Sequence, residues 1–298
     1  ELGVVPTASL DLTQRGMRLS TPVRHRSPTL GLNGKPTDAE VLDERVELVT
    51  WLRKKSLISE SFRTTLTSIL FSAHNGERPR ILVLTSASPK EGKTTVVSNL
   101  GIALAEISHK VLIVDADLRR PRMHNVFEVN NDGNGLSELL LSSDPITTDK
   151  VVGAARPTEI PRLFVLPSGK SRFNASSLLH SERLPELIAL LRKEFDTVLI
   201  DTPPMVNIPD ARVLGRLADG VILILRSALT TRDAALLAKQ RFVDDGVPLM
   251  GTILNNWNPN TPGYGYYRNY YAGYYHYYGD VNGNHNGNSN GTNHNVQV

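Results

Sequence analysis

Short apolar runs alternate with amphipathic segments through the middle of this chain. Six runs have the length and composition of buried strands: Ile81–Thr85, Val111–Val114, Leu163–Leu166, Thr197–Ile200, Val221–Leu225 and Leu249–Leu254. Between them, helical periodicity covers about Thr94–Ile107, Gly135–Leu141, Arg183–Lys193, Ala211–Leu217 and Thr231–Asp244. Apolar strands separated by helices predict an α/β fold, with a mostly parallel sheet and helices on both of its faces.

The flanks of this region have different patterns. Two helices are predicted before the first strand, at about Ala39–Lys54 and Glu60–Phe71, and Ser59 is the expected N-cap of the second. We therefore predict a flexible linker at 1–40, one α/β domain at 41–256 and a disordered tail at 257–298. The basic side chains between Thr13 and Thr37 suit either a solvated linker or a juxtamembrane segment near anionic lipid.

Composition narrows the function classes. The formal net charge of +3 is too small to indicate nucleic-acid binding, and no nucleic-acid partner is expected. The chain has no cysteine, which excludes disulfides and thiolate metal sites. No apolar run approaches the roughly 20 residues of a membrane-spanning helix. Because the chain begins with Glu1 rather than Met, we expect it to be a fragment from which a membrane segment is missing.

The first strand is followed by Ala87-Ser-Pro-Lys-Glu-Gly-Lys-Thr94 and then by a helix. A strand, short loop and helix in this order predict a phosphate-binding loop. Lys93 would reach the β- and γ-phosphates and the Thr94 hydroxyl would bind Mg²⁺. An incidental loop is the alternative. The predicted ATP-binding residues are Ser88, Pro89, Lys90, Glu91, Gly92, Lys93, Thr94, Thr95 and, at the end of the last strand, Asn255.

Carboxylates follow two of the predicted strands. Asp115 and Asp117 come after the second strand, and Asp201 ends the fourth. Because parallel strands end at one edge of a sheet, these side chains are expected beside the phosphate loop, where they can hold Mg²⁺ or accept a proton. Capping of the strand ends, or a salt bridge to Arg119 or Arg120, is the alternative. These arginines and Arg122 could neutralise phosphate charge or form a solvated basic loop.

All nine tyrosines lie in one segment near the end of the chain. They are Tyr264, Tyr266, Tyr267, Tyr270, Tyr271, Tyr274, Tyr275, Tyr277 and Tyr278. Glycine and asparagine between them favour a flexible segment. The cluster is either a low-complexity adhesive tail or a set of phosphate acceptors.

The phosphate loop, Asp115-x-Asp117-x-Arg119, Asp201-Thr-Pro-Pro204 and the tyrosine cluster, in this order, resemble the bacterial tyrosine kinases of polysaccharide export. That family is similar to the deviant Walker P-loop NTPases of cell division and partition. The resemblance implies Mg²⁺- and ATP-dependent autophosphorylation of the tail tyrosines in trans. It also implies control of polysaccharide synthesis or export at the cytoplasmic side of the bacterial inner membrane.

The resemblance also implies roles and partners. Lys93, Asp115 and Asp117 would be catalytic, with Asp115 as the base, and Thr94, Asp117 and Asp201 would hold the metal. The roles of Asp115 and Asp117 could be exchanged. The implied partners are further copies of the chain, a transmembrane activator, fused or separate, and a tyrosine phosphatase.

One feature departs from the family's pattern. The family's ring-forming Glu-x-x-Arg-x-x-Arg motif matches at Glu60 and Arg63, the predicted oligomer interface, but has Leu66 in its third position.

A partition- or division-type ATPase switch, or a scaffold that binds partners through its tail, is the alternative function. The signature lysine of those ATPases falls at Ser88 here, and a polytyrosine tail has no role in them.

Overall fold

An eight-stranded sheet forms the centre of the part of the chain that the computed structural model describes, residues 1–8, 45–72, 78–170 and 175–258. The strands are β1 Gly3–Pro6, β2 Ile81–Ser86, β3 Val111–Asp115, β4 Arg156–Pro157, β5 Leu163–Leu166, β6 Thr197–Asp201, β7 Gly220–Arg226 and β8 Leu249–Trp257. Their order is β1-β8-β7-β2-β6-β3-β5-β4, and only β4 runs antiparallel to its neighbour. The predicted mostly parallel sheet is therefore confirmed.

Ten α-helices connect and cover these strands in the described ranges. They are α1 Val49–Leu52, α2 Leu57–Phe71, α3 Lys93–Glu106, α4 Met123–Val126, α5 Leu136–Leu141, α6 Thr148–Ala154, α7 Ala175–Leu179, α8 Arg183–Glu194, α9 Asp210–Gly215 and α10 Arg232–Asp244. None of them combines the length and apolar character that crossing a membrane requires.

Alternating side chains of the central strands divide the core into two layers. In β2, Ile81 and Val83 pack on one face with residues of α8 and α9, whereas Leu82 and Leu84 pack on the other with α2 and α3. Successive side chains of a strand point to opposite faces, so a strand buried on both sides must be apolar throughout. All six residues of β2 are buried, which explains the apolar run Ile81–Leu84, and the strand ends in the buried polar residues Thr85 and Ser86.

The predicted linker at 1–40 is wrong for its first residues. Gly3–Pro6 forms β1, which pairs in parallel with β8 at the edge of the sheet. Leu2, Val4 and Val5 are buried there, and the Thr7 amide donates to the Trp257 carbonyl at 2.8 Å. A four-residue strand is too short to show a period. Residues 9–44, with the basic segment, and the tail from 259 lie outside the described residues.

The predicted helix at Ala39–Lys54 is replaced, in its described part, by a 3₁₀ turn at Val46–Leu48 followed by α1. The buried side chain of Asn99 accounts for the break. Its amide donates to the Val46 carbonyl at 2.9 Å and its oxygen accepts from the Thr50 amide at 2.8 Å. These are the two backbone groups that would bond each other in a continuous α-helix.

The N-cap of α2 is Ser56 rather than the predicted Ser59. The Ser56 hydroxyl accepts from the Ser59 amide at 3.1 Å. The Ser59 hydroxyl is fully buried and donates to the Arg53 carbonyl at 2.7 Å, which ties α2 to the turn after α1. Helix α2 therefore starts one turn earlier than its apolar periodicity indicates.

We predict that Gly3→Ala destabilises the protein, because the edge strand packs tightly against α2. A Cβ atom on Gly3 would lie 2.0 Å from the Thr65 hydroxyl oxygen, so strand or helix must move. The expected loss is about 1–3 kcal/mol in urea unfolding. Gly153→Ala is the matched control, because that position in α6 has no atom within 4 Å of the added methyl. It should be neutral or stabilising by up to about 1 kcal/mol. Equal effects at both sites would contradict a tightly docked β1.

Candidate active site

The phosphate loop lies between the end of β2 and the start of α3. Gly92 precedes the helix with a φ of +89°, in the left-handed region that glycine adopts without strain. A Cβ atom at Gly92 would lie 2.1 Å from the Asn255 side-chain nitrogen, so a larger residue would also collide with β8. The loop therefore presents backbone N–H groups at the start of a 14-residue helix, an arrangement suited to an anion.

The loop is held by side chains from β8, from the end of β7 and from the segment that follows β7. Glu91 is fully buried, and its carboxylate accepts from the Ser88 amide at 3.0 Å and from the Thr230 hydroxyl. Asn255 donates to the Glu91 carbonyl at 3.0 Å, and Arg226 donates to the Lys90 carbonyl at 2.7 Å. The Glu91 side chain thus braces the loop, and any contact with nucleotide is left to its backbone.

Lys93, the first residue of α3, is directed inward and is 9% exposed. Its Nζ donates to the Ser86 hydroxyl at 3.1 Å. Burial lowers the pKa of the Lys93 ammonium, although the carboxylates of Asp201, Asp117 and Glu91 act in the opposite direction. A desolvated ammonium beside an anion-binding loop is placed to stabilise phosphate charge.

The Thr94 hydroxyl donates to Asp201 at 2.9 Å, which joins the phosphate loop to the end of β6. Asp201 is 2% exposed and pairs in register with Asp115 at the end of β3. Burial raises the pKa of Asp201 to about 8, and repulsion from Asp115 adds to this, against the effects of Lys93 and Thr94. Two buried carboxylates therefore lie side by side at the carboxyl ends of β3 and β6.

Asp115 is anchored through one oxygen. Its Oδ2 accepts from the Arg122 and Met123 amides, both at 2.9 Å. Burial raises the pKa of Asp115 to about 7 in spite of these hydrogen bonds. Within the described residues, Oδ1 of Asp115 and Oδ1 of Asp201 are buried without a hydrogen-bond partner. Unsatisfied buried carboxylate oxygens suit a cation or a proton.

Asp117 is more accessible than Asp115, and its Oδ1 accepts from the Arg120 amide at 3.0 Å. The negative charge of Asp117 acts to raise the pKa of both Lys93 and Asp201. Between residues 1–8, 45–72, 78–170 and 175–258, no group of three or more acidic or histidine side chains could hold a metal alone. That is compatible with Mg²⁺, which is usually bound by few protein ligands together with water and substrate phosphates.

The predicted interface residues on α2 are engaged within the chain. Arg63 forms ion pairs with Glu60 at 2.5 Å and Glu106 at 3.0 Å, and it also donates to the Lys54 carbonyl at 2.7 Å. Leu66 is 4% exposed and belongs to the core. The third position of the expected ring motif therefore faces inward. The interface role of Glu60 and Arg63 stays a prediction.

Sequence reasoning did not find four polar residues that support the site. These are Ser86, Arg226, Thr230 and Asp210, a buried carboxylate at the start of α9. Ser86 immediately precedes the phosphate loop, and Asp210 follows Pro204 of the Asp201-Thr-Pro-Pro204 segment by six residues. Arg226 and Thr230 lie more than 100 residues from the phosphate loop. The tyrosine cluster is outside the described residues.

A glycine-containing loop between a strand and a helix, ending in Lys93 and Thr94 and facing a buried aspartate, defines a P-loop NTPase. The family model described as "AAA domain" matches residues 83–238, just over half of the chain. The tyrosine-protein kinase YwqD of Bacillus subtilis is 34% identical over 221 residues, which are 74% of this chain and 90% of that protein.

Two further comparisons agree with this result. The kinase domain of Escherichia coli tyrosine kinase ETK has a TM-score of 0.67 at 30% identity, covering 88% of this chain and 94% of that structure. The tyrosine-protein kinase wzc of Salmonella typhimurium is 35% identical over 71% of this chain, which spans only 29% of that longer relative. The chain belongs to the bacterial tyrosine kinases, and this membership favours the kinase hypothesis over a partition-type ATPase.

We predict that Asp201→Asn makes the nucleotide-free protein more stable at pH 8. An aspartate with a raised pKa binds its proton more tightly in the folded state, so stability falls as pH rises from about 4 towards about 8. Asparagine does not ionise, and the variant should exceed the parent at pH 8 by about 1–3 kcal/mol. Urea unfolding from pH 5 to 8 without Mg²⁺ measures the difference. The exposed Asp233→Asn is the control, and parallel pH profiles for parent and Asp201→Asn would contradict the prediction.

Proposed function

We propose that this protein is an ATP- and Mg²⁺-dependent tyrosine autokinase that phosphorylates its own tyrosine cluster, Tyr264–Tyr278, in trans. One observation carries the proposal: Lys93, Thr94 and Asp201 meet at the end of the phosphate loop, beside carboxylate oxygens that have no hydrogen-bond partner among the described residues. Membership of the tyrosine kinases supplies the reaction class. The nine tyrosines, gathered in one segment, supply the acceptors.

Phosphoryl transfer needs positioning and charge stabilisation more than covalent chemistry. The phenol oxygen of the acceptor forms a bond to the γ-phosphorus as the bond to the β-phosphate oxygen breaks. Lys93 and the loop amides stabilise the charge that develops on the phosphoryl oxygens. The phenol proton passes to a carboxylate, and we assign this role to Asp115, because its raised pKa of about 7 suits a base near neutral pH.

Thr94 and Asp201 would hold the metal, with Asp117 as a further metal-side carboxylate. When bound, Mg²⁺ would neutralise charge on the β- and γ-phosphate oxygens. The residues suit this ion because they offer hydroxyl and carboxylate oxygens, the ligands that hard cations prefer. The reverse assignment, with Asp117 as base and Asp115 near the metal, is the competing hypothesis.

The biological setting is part of the same proposal. Transfer in trans requires further copies of the chain, and we expect a transmembrane activator, fused or separate, and a tyrosine phosphatase that resets the tail. The kinase would act at the cytoplasmic side of the bacterial inner membrane and regulate polysaccharide synthesis or export. The length of relatives such as wzc, of which this chain spans 29%, is compatible with a fused activator.

Mixing two defective chains tests the transfer in trans. Lys93→Met should lower autophosphorylation at least about 100-fold, because it removes a charge from the transferring phosphoryl group. A second chain, active but ending at Pro262, lacks the acceptor tyrosines. Together with Mg²⁺-ATP, the two should place phosphate on the tail of the Lys93→Met chain. Replacing its nine tyrosines with phenylalanine is the control. A tail that stays unlabelled would favour transfer within one chain.

Separate substitutions of the two carboxylates distinguish base from metal ligand. Asp115→Asn should lower kcat by about 10²–10⁴-fold with little change in the Mg²⁺ concentration for half-maximal rate. Asp117→Asn should raise that Mg²⁺ concentration, because it removes a charge beside the metal. Steady-state kinetics across a Mg²⁺ titration give both values. The opposite pattern would establish the competing assignment.

A further inference from the structure

Asp210 is a buried carboxylate that the proposed reaction leaves without a role. It is the first residue of α9 and follows the loop that begins at the end of β6. Its side chain is 1% exposed. An ionised carboxylate is costly to bury, and proteins keep one inside when it is paired or when it directs another charge.

Asp210 forms an ion pair with Arg119. Nε of Arg119 lies 3.8 Å from Oδ2 of Asp210, and the arginine side chain is 43% exposed. Arg119 belongs to the loop after β3, in the turn closed by the hydrogen bond from the Arg120 amide to Asp117. The ion pair therefore links the two loops that follow the site carboxylates Asp115 and Asp201.

The neighbouring arginines of this loop have different surroundings. Arg122 approaches Glu47 at 3.6 Å, and its side chain is 63% exposed. The Arg120 side chain is exposed, and its backbone amide is the part of the residue that contacts Asp117. Of these three arginines, Arg119 is therefore the one that pairs with a fully buried acid, and its own side chain remains partly exposed.

We propose that Asp210 is a positioning residue that directs Arg119 towards the γ-phosphoryl group of the bound nucleotide. The site holds three aspartates and one lysine, so a further cation beside Mg²⁺ would favour binding of the triphosphate. A planar guanidinium can bind two phosphoryl oxygens at once, and arginine is suited to charge that spreads over the transferring group. The inference rests on the proposed function for the identity of the nucleotide.

Binding of two nucleotides to the full chain tests this assignment. ADP and a non-hydrolysable ATP analogue, each with Mg²⁺, differ by the γ-phosphate that Arg119 would contact. Arg119→Gln should weaken binding of the analogue about tenfold, the size of a charge-assisted hydrogen bond, and binding of ADP less than twofold. Asp210→Asn should weaken analogue binding about threefold alone, and should have no further effect in the Arg119→Gln background. Arg120→Gln, with the same loss of charge, is the matched control and should resemble the parent.

The outcomes distinguish a positioning role of Asp210 from a purely structural one. Equal losses for ADP and the analogue in Arg119→Gln, independent effects of Arg119→Gln and Asp210→Asn, or the same loss in Arg120→Gln would overturn the proposal. If Asp210→Asn unfolds, Arg119→Gln still decides, because that side chain is partly exposed and its loss need not disturb the core. A γ-specific loss in a chain that forms no phosphotyrosine would refute the proposed function and leave this inference standing. Phosphotyrosine formation without a γ-specific loss would do the reverse.

Discussion

The close approach of two buried carboxylates, Asp115 and Asp201, is the constraint on which the site depends. They occupy paired positions on neighbouring parallel strands, so the sheet itself holds like charges together. Lys93 and the Thr94 hydroxyl offset part of the repulsion, and the pKa of each aspartate stays raised. The folded protein therefore carries an unfavourable term that a proton or a cation relieves. Such local destabilisation is typical of functional sites, because the rest of the fold compensates for it.

The phosphate loop depends on strands far from it in sequence. Asn255, on β8, donates to the loop backbone at Glu91 and occupies the space that a side chain at Gly92 would need. Strand β8 is in turn covered at its edge by β1, which bonds it at both ends. The first eight residues of the chain thus support the strand that carries Asn255.

The central fold was predictable from sequence because burial on both faces makes parallel strands uniformly apolar. All six predicted strands occur, within a few residues of their expected bounds. The missed elements have another origin. Strand β1 has four residues, and its partner is about 250 residues away. The break before α1 depends on the Asn99 side chain, which no local pattern shows.

The site was predictable to the extent that its chemistry is local in sequence. Thr94 and Asp201 do meet, as the strand-end argument requires. Glu91 shows where that argument fails: it belongs to the predicted phosphate loop, yet its carboxylate points inward to Thr230. Asp210 was missed because an aspartate that starts a short helix is common as a cap. Its burial and its approach to Arg119 appear only when the two loops are folded together.

The ion pairs on α2 limit what assembly can gain from that helix. Arg63 already binds the carboxylates of Glu60 and Glu106, both partly exposed. A carboxylate from a second copy would have to replace one of these partners, so the gain is an exchange between similar interactions. Exposed ion pairs contribute about 0–1 kcal/mol even when they form anew. Since Leu66 faces the core and adds no charge, association through this helix face needs apolar or tail contacts elsewhere to be stable.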